Sequence, residues 1–427
     1  MSLQGLHSQG SHTQEQHIAI VGGGMVGVSL ALMLSQAFEN SPHAVHISLI
    51  EQFPFPSAHT QQTPAHHASS FDARSTALSA GSVELLNTLG VWKNLQEQAQ
   101  AIQHIHISDK GHYSNTQLHA QDHGLDALGY VVENRQLGHG LLEQLQNTAV
   151  ECIAPATVSA CRMKKGGAIL QITQTNEQAH DCVTERHADV VLIADGTDSP
   201  LRQSLGIDCD MTPYHQSAII MNIALKEPHQ GIAYERFTDQ GPLAVLPLKD
   251  CDGLHRAAVV WTRDTQQADT VMAYSDAQCM QQLQTCFGYR AGYIEHVGQR
   301  HCYPLALVQA KEQVRSHIVV VGNAAHFLHP VAGQGFNLSL RDNAVLAKTL
   351  REAVEKEQAI GHYQTLQRYQ QEREKDQQLT IGLTHAMVDT FSSKKWSLSA
   401  LRQMGLLSLH AMPLAKKTLA RQMMGML

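Results

Sequence analysis

The stretch His17-Ile-Ala-Ile-Val-Gly-Gly-Gly-Met-Val-Gly27, followed by VSLALMLSQAF and then by AVHISLIE ending at Glu51, decides the fold. An apolar run enters a turn in which Gly22, Gly24 and Gly27 are spaced G-x-G-x-x-G. A helical pattern follows, and a second apolar run closes on Glu51, 24 residues past Gly27. Glycines at this spacing allow a tight turn, close approach of a pyrophosphate, and packing of helix against strand; the helix N-terminus then favours the anion. Glu51 stands where an acid can accept from the ribose hydroxyls of an adenosine. Glycines that merely shape a loop would leave that acid unexplained, so the unit is read as strand, turn, helix and strand around a dinucleotide. The turn alone does not separate FAD from a nicotinamide, because both use it.

Two further segments make the separation. Ala194 to Arg202, ADGTDSPLR, reads as an apolar strand ending in Asp195-Gly196 before a helix start, and Gly322 to Asn337, GNAAHFLHPVAGQGFN, as another strand end whose loop carries glycines before a helix. Three strand-to-loop-to-helix sites are more than a nicotinamide alone requires, whereas an extended flavin dinucleotide would use them. Between these segments the pattern changes. SAIIMNIAL, PLAVLPL and RAAVVWT read as an antiparallel sheet, IQHIHISD as a half-buried strand, SAGSVELLNTLGVWKNL as a helix, and Phe53 to Ser70 as an exposed loop. The expected fold class is α/β (α+β): a Rossmann-like FAD-binding domain with an inserted mixed or antiparallel β-sheet substrate domain and a helical C-terminus. Its expected divisions are a disordered leader over 1–16; an FAD-binding domain over 17–102, 130–207 and 302–354; a substrate domain over 103–129 and 208–301; and C-terminal helices over 355–427.

Composition bounds the function classes. With 427 residues, 43% hydrophobic and 16% charged, the chain is long enough for two or three units around a sizeable core. A formal charge of -7, with no basic run interleaved with aromatics, gives no reason to expect a nucleic-acid partner. The eight cysteines are scattered without a CxxC pair, which signals neither a zinc site nor a disulfide framework and fits reduced thiols in the cytoplasm. The polar N-terminus does not read as a secretory signal, and no run of eighteen apolar residues occurs. Any membrane contact is therefore expected to be peripheral. The tail WSLSALRQMGLLSLHAMPLAKKTLARQMMGML, amphipathic and rich in Met, is read as an adaptable contact surface for the rest of the chain, a partner or a membrane.

Over most of its length, from about His17 to at least Leu350, the sequence resembles the para-hydroxybenzoate hydroxylase class of single-component flavoprotein monooxygenases. Within that class it is most similar to the hydroxylases of ubiquinone biosynthesis. The resemblance is carried by DARSTAL (Asp72 to Leu78), VVENRQL (Val131 to Leu137), GPLAVLP (Gly241 to Pro247) and VGNAAHFLHPVAGQGFNLSLRD (Val321 to Asp342). Gly322-Asn323 stands where most of the class has Gly-Asp, and this variant is similar to the 2-polyprenyl-6-methoxyphenol hydroxylase branch. An asparagine still accepts through its carbonyl oxygen, as the acid would from the ribityl chain.

The resemblance implies bound FAD, transient NADPH or NADH, dioxygen as co-substrate, and a prenylated phenol to be hydroxylated. It implies that Arg74 and Arg135 hold the ribityl and phosphate portions, that Asp195 senses both nucleotides, and that Gly333, Gln334, Gly335 and Asn337 form the loop and helix start facing the isoalloxazine ring. The flavin-side substrate pocket is expected at His329, Pro330, Val245 and Pro247; no acid-base residue is assigned. Other ubiquinone-biosynthesis proteins are expected partners. The 27 histidines, among them His66-His67 and the pair His326 and His329, lack a third ligand at usable spacing, so no metal is expected. Two alternatives stay open: an FAD-linked dehydrogenase or reductase of isoprenoid lipids, and a non-catalytic flavin-binding subunit of a quinone-biosynthesis complex.

Overall fold

The computed structural model describes residues 15–55, 74–111, 115–175, 181–392 and 424–425. The expected leader up to residue 14, most of the Phe53 to Ser70 loop with His66 and His67, Asp72 and Ala73 of the DARSTAL run, and nearly all of the C-terminal tail lie outside the described residues.

The strand Gln16–Val21 is central to a six-stranded sheet, with Val45–Ile50 parallel to it on one side and Val190–Ile193 parallel on the other. Glu151–Ile153 and Ile318–Val320 extend the sheet in parallel, and Val314–Arg315 adds an antiparallel edge. The apolar runs read from the sequence are the strands buried on both faces, as parallel sheets require. Ile18 and Ile20 face the helix Met25–Phe38, while Ala19 and Val21 pack with Leu170, Ile172 and Leu201 on the other side. That helix lies against the long helix Gln334–Glu355, whose buried Asn343 donates through Nδ2 to Val26 O at 2.9 Å and to Ser29 Oγ at 3.1 Å.

The alternating segments form a second, mixed sheet. Cys209–Leu225, Leu254–Asp264, Gly241–Cys251 and Ile232–Thr238 pair antiparallel in that order, and His104–Asp109 then adds to Ile232–Thr238 in parallel. Residues from before and after the middle of the chain thus share one sheet. Its outer face is covered by the helices Thr265–Met272 and Asp276–Phe287. A small sheet of Ser75–Ser79, Gly129–Glu133 and Gln100–Ile102 lies on its inner side, where Ile102 and Val131 meet Ala233 and Ala258. A three-stranded meander, Thr157–Lys164, Gly167–Thr175 and Asp181–Ala188, covers one face of the first sheet; the sequence reading passed over it. Its strands are largely polar on their exposed side, so they carry a weak apolar signal.

Candidate functional site

The loops at the C-terminal ends of Gln16–Val21, Val190–Ile193 and Ile318–Val320 converge. At the first, Gly22 has φ +109°, and a Cβ there would lie 2.4 Å from Ala194 O; a Cβ on Gly27 would lie 1.8 Å from Gly22 O. No side chain fits at either place, so the glycines bring turn, helix and neighbouring strand into direct contact. The helix starting after Gly24 has neither a side-chain cap nor an acid in its first turn. No side chain among the described residues caps its first N–H groups, and a helix start of this kind favours an anion. The Glu51 carboxylate accepts from Gly23 N–H and, at 3.0 Å, from Phe53 N–H, which fixes the glycine turn to the end of the second strand. A carboxylate has about four lone-pair sites, so these two donors leave capacity for ribose hydroxyls.

At the second loop Asp195 accepts from Leu201 N at 3.3 Å through one oxygen, while Oδ1 is buried without a hydrogen-bond partner among the described residues. Burial raises its pKa above the usual carboxylate range. Arg202, which the sequence offered only as a helix-start residue, is buried and donates through one NH group to Thr197 O at 3.1 Å and Ala324 O at 2.7 Å. It ties the second loop to the third.

In the third loop Gly322 has φ +60° and packs against Val26, with a Cβ position 2.8 Å from its Cγ1; Asn323 follows, exposed, in the turn Gly322–Ala324. Gly333, also at φ +60°, opens the helix Gln334–Glu355, which again has no side-chain cap and no acid in its first turn. A Cβ on Gly335 would meet nothing within 4 Å, and Gln334 is buried beside it. The Asn337 side chain is fully used: Nδ2 donates to Ala77 O at 2.8 Å and Gly333 O at 2.7 Å, and Oδ1 accepts from Ser79 N at 2.9 Å. It clamps the helix start to the strand Ser75–Ser79, so its own side chain is spent within the fold. Arg74 precedes that strand with its guanidinium 4.9 Å from the centre of the Tyr303 ring, and Arg135 stands exposed in the first turn of the helix Asn134–Leu145. Asn134 N donates to Arg74 O at 2.6 Å, so the two arginines come from adjoining chain segments.

His329 is 1% exposed; its Nδ1 accepts from Val331 N at 3.1 Å, which puts the proton on Nε2, and that Nε2 has no partner among the described residues. Burial pushes its pKa down to about 4, so the ring is neutral at pH 7. Pro330 follows at the start of the turn into Gly333. His326 points elsewhere, into an interaction with Asp342, and among the described residues no group of three or more His, Cys, Asp or Glu side chains is placed to hold a metal ion.

The expectation for Val245 and Pro247 is corrected in its face. Val245 pairs with Tyr234 and packs with Leu243, Trp261, Leu283 and Phe287 beneath the outer helices, and Pro247 shares its parity. The inner face of that strand carries Ala244, Leu246 and Leu248; Leu246 and Leu248 pack with Ala233 and Val131. A period-2 pattern shows that a strand has two faces, and only the packing decides which one looks toward the loops. The adjoining strand makes the link: Phe237 packs on Val331, two residues after His329.

Three convergent loops, two uncapped helix starts, a turn with no room for a Cβ and an orphaned acid oxygen fit a group with phosphates and several hydroxyls, as FAD has. The comparisons agree. The family described as FAD binding domain matches residues 15–381. The ubiquinone hydroxylase UbiL of Rhodospirillum rubrum is 32% identical over 420 residues, which cover 98% of this chain and 91% of that protein. The 3-demethoxyubiquinol 3-hydroxylase of Escherichia coli is 29% identical, covering 97% and 99%. Among solved structures, PqsL of Pseudomonas aeruginosa in complex with 2-aminobenzoylacetate superposes with a TM-score of 0.71 at 19% identity, covering 92% of this chain and all of that one.

Proposed function

Since the chain belongs to the FAD binding domain family, we propose that it is an FAD-dependent hydroxylase of ubiquinone biosynthesis that places one oxygen atom of O2 on a polyprenylated (methoxy)phenol, using NADPH or NADH. The observation that carries this reading is the convergence of three loops with two uncapped helix starts on one side of the first sheet. Gly22, Gly24 and Gly27 would take the pyrophosphate on backbone N–H groups and Glu51 the adenosine ribose. Arg74 and Arg135 would meet phosphate and ribityl oxygens with guanidinium forks. Asn323 would accept from the ribityl chain, and Asp195 supplies an acid between the loops.

FAD, when bound, takes a hydride from the reduced nicotinamide and activates dioxygen. The chain's share is binding, orientation and exclusion of water. The backbone N–H groups of Gly333, Gln334 and Gly335 stand at a helix N-terminus, where negative charge on a ligand is favoured. Neutral His329 with Pro330 forms a wall that adds no positive charge. The phenol would lie between this loop and the inner face of the second sheet, against Ala244 and Leu246, with apolar surface for a prenyl tail. On this reading 17–102, 130–207 and 302–354 form the flavin part, and 103–129 with 208–301 the substrate part. The parallel pairing of His104–Asp109 with Ile232–Thr238 supports that grouping. No described helix is long and apolar enough to cross a membrane, and the apolar tail of the substrate makes peripheral membrane contact, or contact with other ubiquinone-biosynthesis proteins, part of the proposal.

The test is to purify the chain, record its visible spectrum and follow NAD(P)H oxidation with and without a short-chain 2-prenyl-6-methoxyphenol. A flavin spectrum, oxidation stimulated by the phenol, and a product heavier by one oxygen are expected. Bound flavin without oxygenated product would transfer the assignment to a dehydrogenase or a non-catalytic subunit, and absence of flavin would end it.

A further inference from the structure

The strand Ile232–Thr238 carries an acid where its neighbours are apolar. Ala233, Glu235 and Phe237 share the inner face: Ala233 packs with Ile102, Val131 and Met424, and Phe237 with Val331 of the glycine loop. Glu235 therefore sits between these clusters, third strand from one edge of the sheet, with Ala244 and Ile107 opposite it on the flanking strands. Ala233 is 4% and Phe237 1% exposed, whereas Glu235 keeps intermediate exposure as a residue while its carboxyl is desolvated by the groups around it. Tyr234 and Arg236 point the other way, Tyr234 donating to Arg290 O at 2.9 Å. Among the described residues Glu235 has no hydrogen-bond or ion-pair partner, and an acid so placed costs folding free energy that no contact of the fold offsets.

We infer that Glu235 accepts the proton of the substrate's phenolic hydroxyl. The inference rests on the hydroxylase reading of this site and adds the group that ionises the ring. In the step the phenol O–H bond breaks, its proton bonds to a Glu235 carboxylate oxygen, and the electron pair stays on the phenolate oxygen. Delocalised from there, it raises electron density at the ring carbons ortho and para to it, where an electrophilic oxygen attacks. Burial moves the Glu235 pKa up to about 7. An ordinary carboxylate lies roughly 6 units below a phenol near pKa ~10, and this shift narrows the gap to about 3. The titratable groups on the packed elements are Asp109 on the His104–Asp109 strand, His385 on the helix Tyr363–Ser392 and His329 on the glycine loop; the strand Gly241–Cys251 presents Pro242, Ala244 and Leu246. Desolvation is the cause of the Glu235 shift, without a charge partner.

The test uses the flavin-loaded enzyme, a short-chain 2-prenyl-6-methoxyphenol and the variants Glu235→Gln and Glu235→Asp. Binding without reduced nicotinamide is followed by the difference band of the phenolate across neutral pH with the 4-nitro analogue of that phenol, which its ring substituent makes about as acidic as Glu235, and hydroxylation of the parent phenol is followed separately by product mass. E235Q is expected to keep its flavin, to lose the phenolate band at neutral pH and to form product about 100-fold more slowly, with partial recovery in E235D. A phenolate band and product rate within about twofold of wild type in E235Q would overturn the assignment, as would a wild type that binds the nitrophenol un-ionised. A wild type that shows the band, loses it in E235Q and makes no oxygenated product would refute the hydroxylase reading and leave the Glu235 assignment standing. Should E235Q not retain flavin, E235D decides by the same two readouts: a partial loss supports the assignment and none overturns it.

Discussion

His326 Nε2 lies 2.9 Å from Asp342 Oδ2, and the carboxylate, 1% exposed, also accepts from Arg373 Nε at 2.6 Å and Gln377 Nε2 at 3.0 Å. Arg373 pairs in turn with Asp376, which takes Arg341 Nε at 2.8 Å. One buried network thus joins the loop after Ile318–Val320, the long helix that begins at the glycine loop, and the helix Tyr363–Ser392. His326 is a fastening between the loop and the helices behind it.

Asp342→Ala removes the acceptor on which three buried donors converge. It is expected to destabilise the fold by about 3–5 kcal/mol, because Arg373 loses its main counter-charge in a dry setting. Denaturant unfolding of the mutant and wild type measures this directly, and a loss below about 1 kcal/mol would show that the network is solvated.

His329 makes the protein sensitive to acid. Its folded pKa, about 4, lies below the unfolded value of 6.5, so between these pH values the unfolded state binds more protons and stability falls as pH drops. At pH 7 the ring is neutral in both states and the effect is absent. His329→Gln should flatten this part of the profile relative to wild type; parallel thermal-melt curves for the two proteins from neutral pH down to about 4 would contradict the burial of a neutral ring.

Asn323 is exposed in the turn after the Ile318–Val320 strand, where nothing in the described structure restrains its side chain. Asn323→Asp exchanges a carbonyl acceptor for a charged one and should retain or tighten FAD, by up to about tenfold for a charge-assisted bond. Equilibrium dialysis or fluorescence titration of the apoprotein with FAD gives the answer, and clear loss of flavin would remove Asn323 from the ribityl contact.

Met424 plugs the inner face of the second sheet from the far end of the chain: it is buried among Ile102, Leu128, Val131 and Ala233, and its carbonyl accepts from Gly81 N at 3.0 Å. Met424→Ala should weaken the docking of this turn by about 2 kcal/mol. The expected result is faster proteolysis of the C-terminus with the global unfolding midpoint nearly unchanged, since the contact is local; equal cleavage rates would place the stabilisation elsewhere.

Much of the site was legible from residues 17–51, 194–202 and 322–337, because glycine spacing and strand-to-helix transitions are local and a Cβ clash at Gly22 or Gly27 leaves no substitute. Arg202 and Asn337 were harder. Arg202 serves by reaching Ala324, 122 residues away, and the side chain of Asn337 is spent on Ala77 and Ser79. Neither bond has a signal in sequence spacing.

By itself the sequence determined the dinucleotide unit, the three loops, the mixed second sheet and the resemblance to flavin hydroxylases, since apolar periodicity and turn chemistry act over a few residues. The tertiary structure decided which face of each strand meets the loops. Alternation is unchanged when a strand is turned over, so Val245 and Ala244 are equivalent candidates until helices cover one side. The same choice put Glu235 against the inner face and His326 against Asp342. Burial and the identity of a distant partner, which set the charge state of an acid or an imidazole, exist only once the chain has packed.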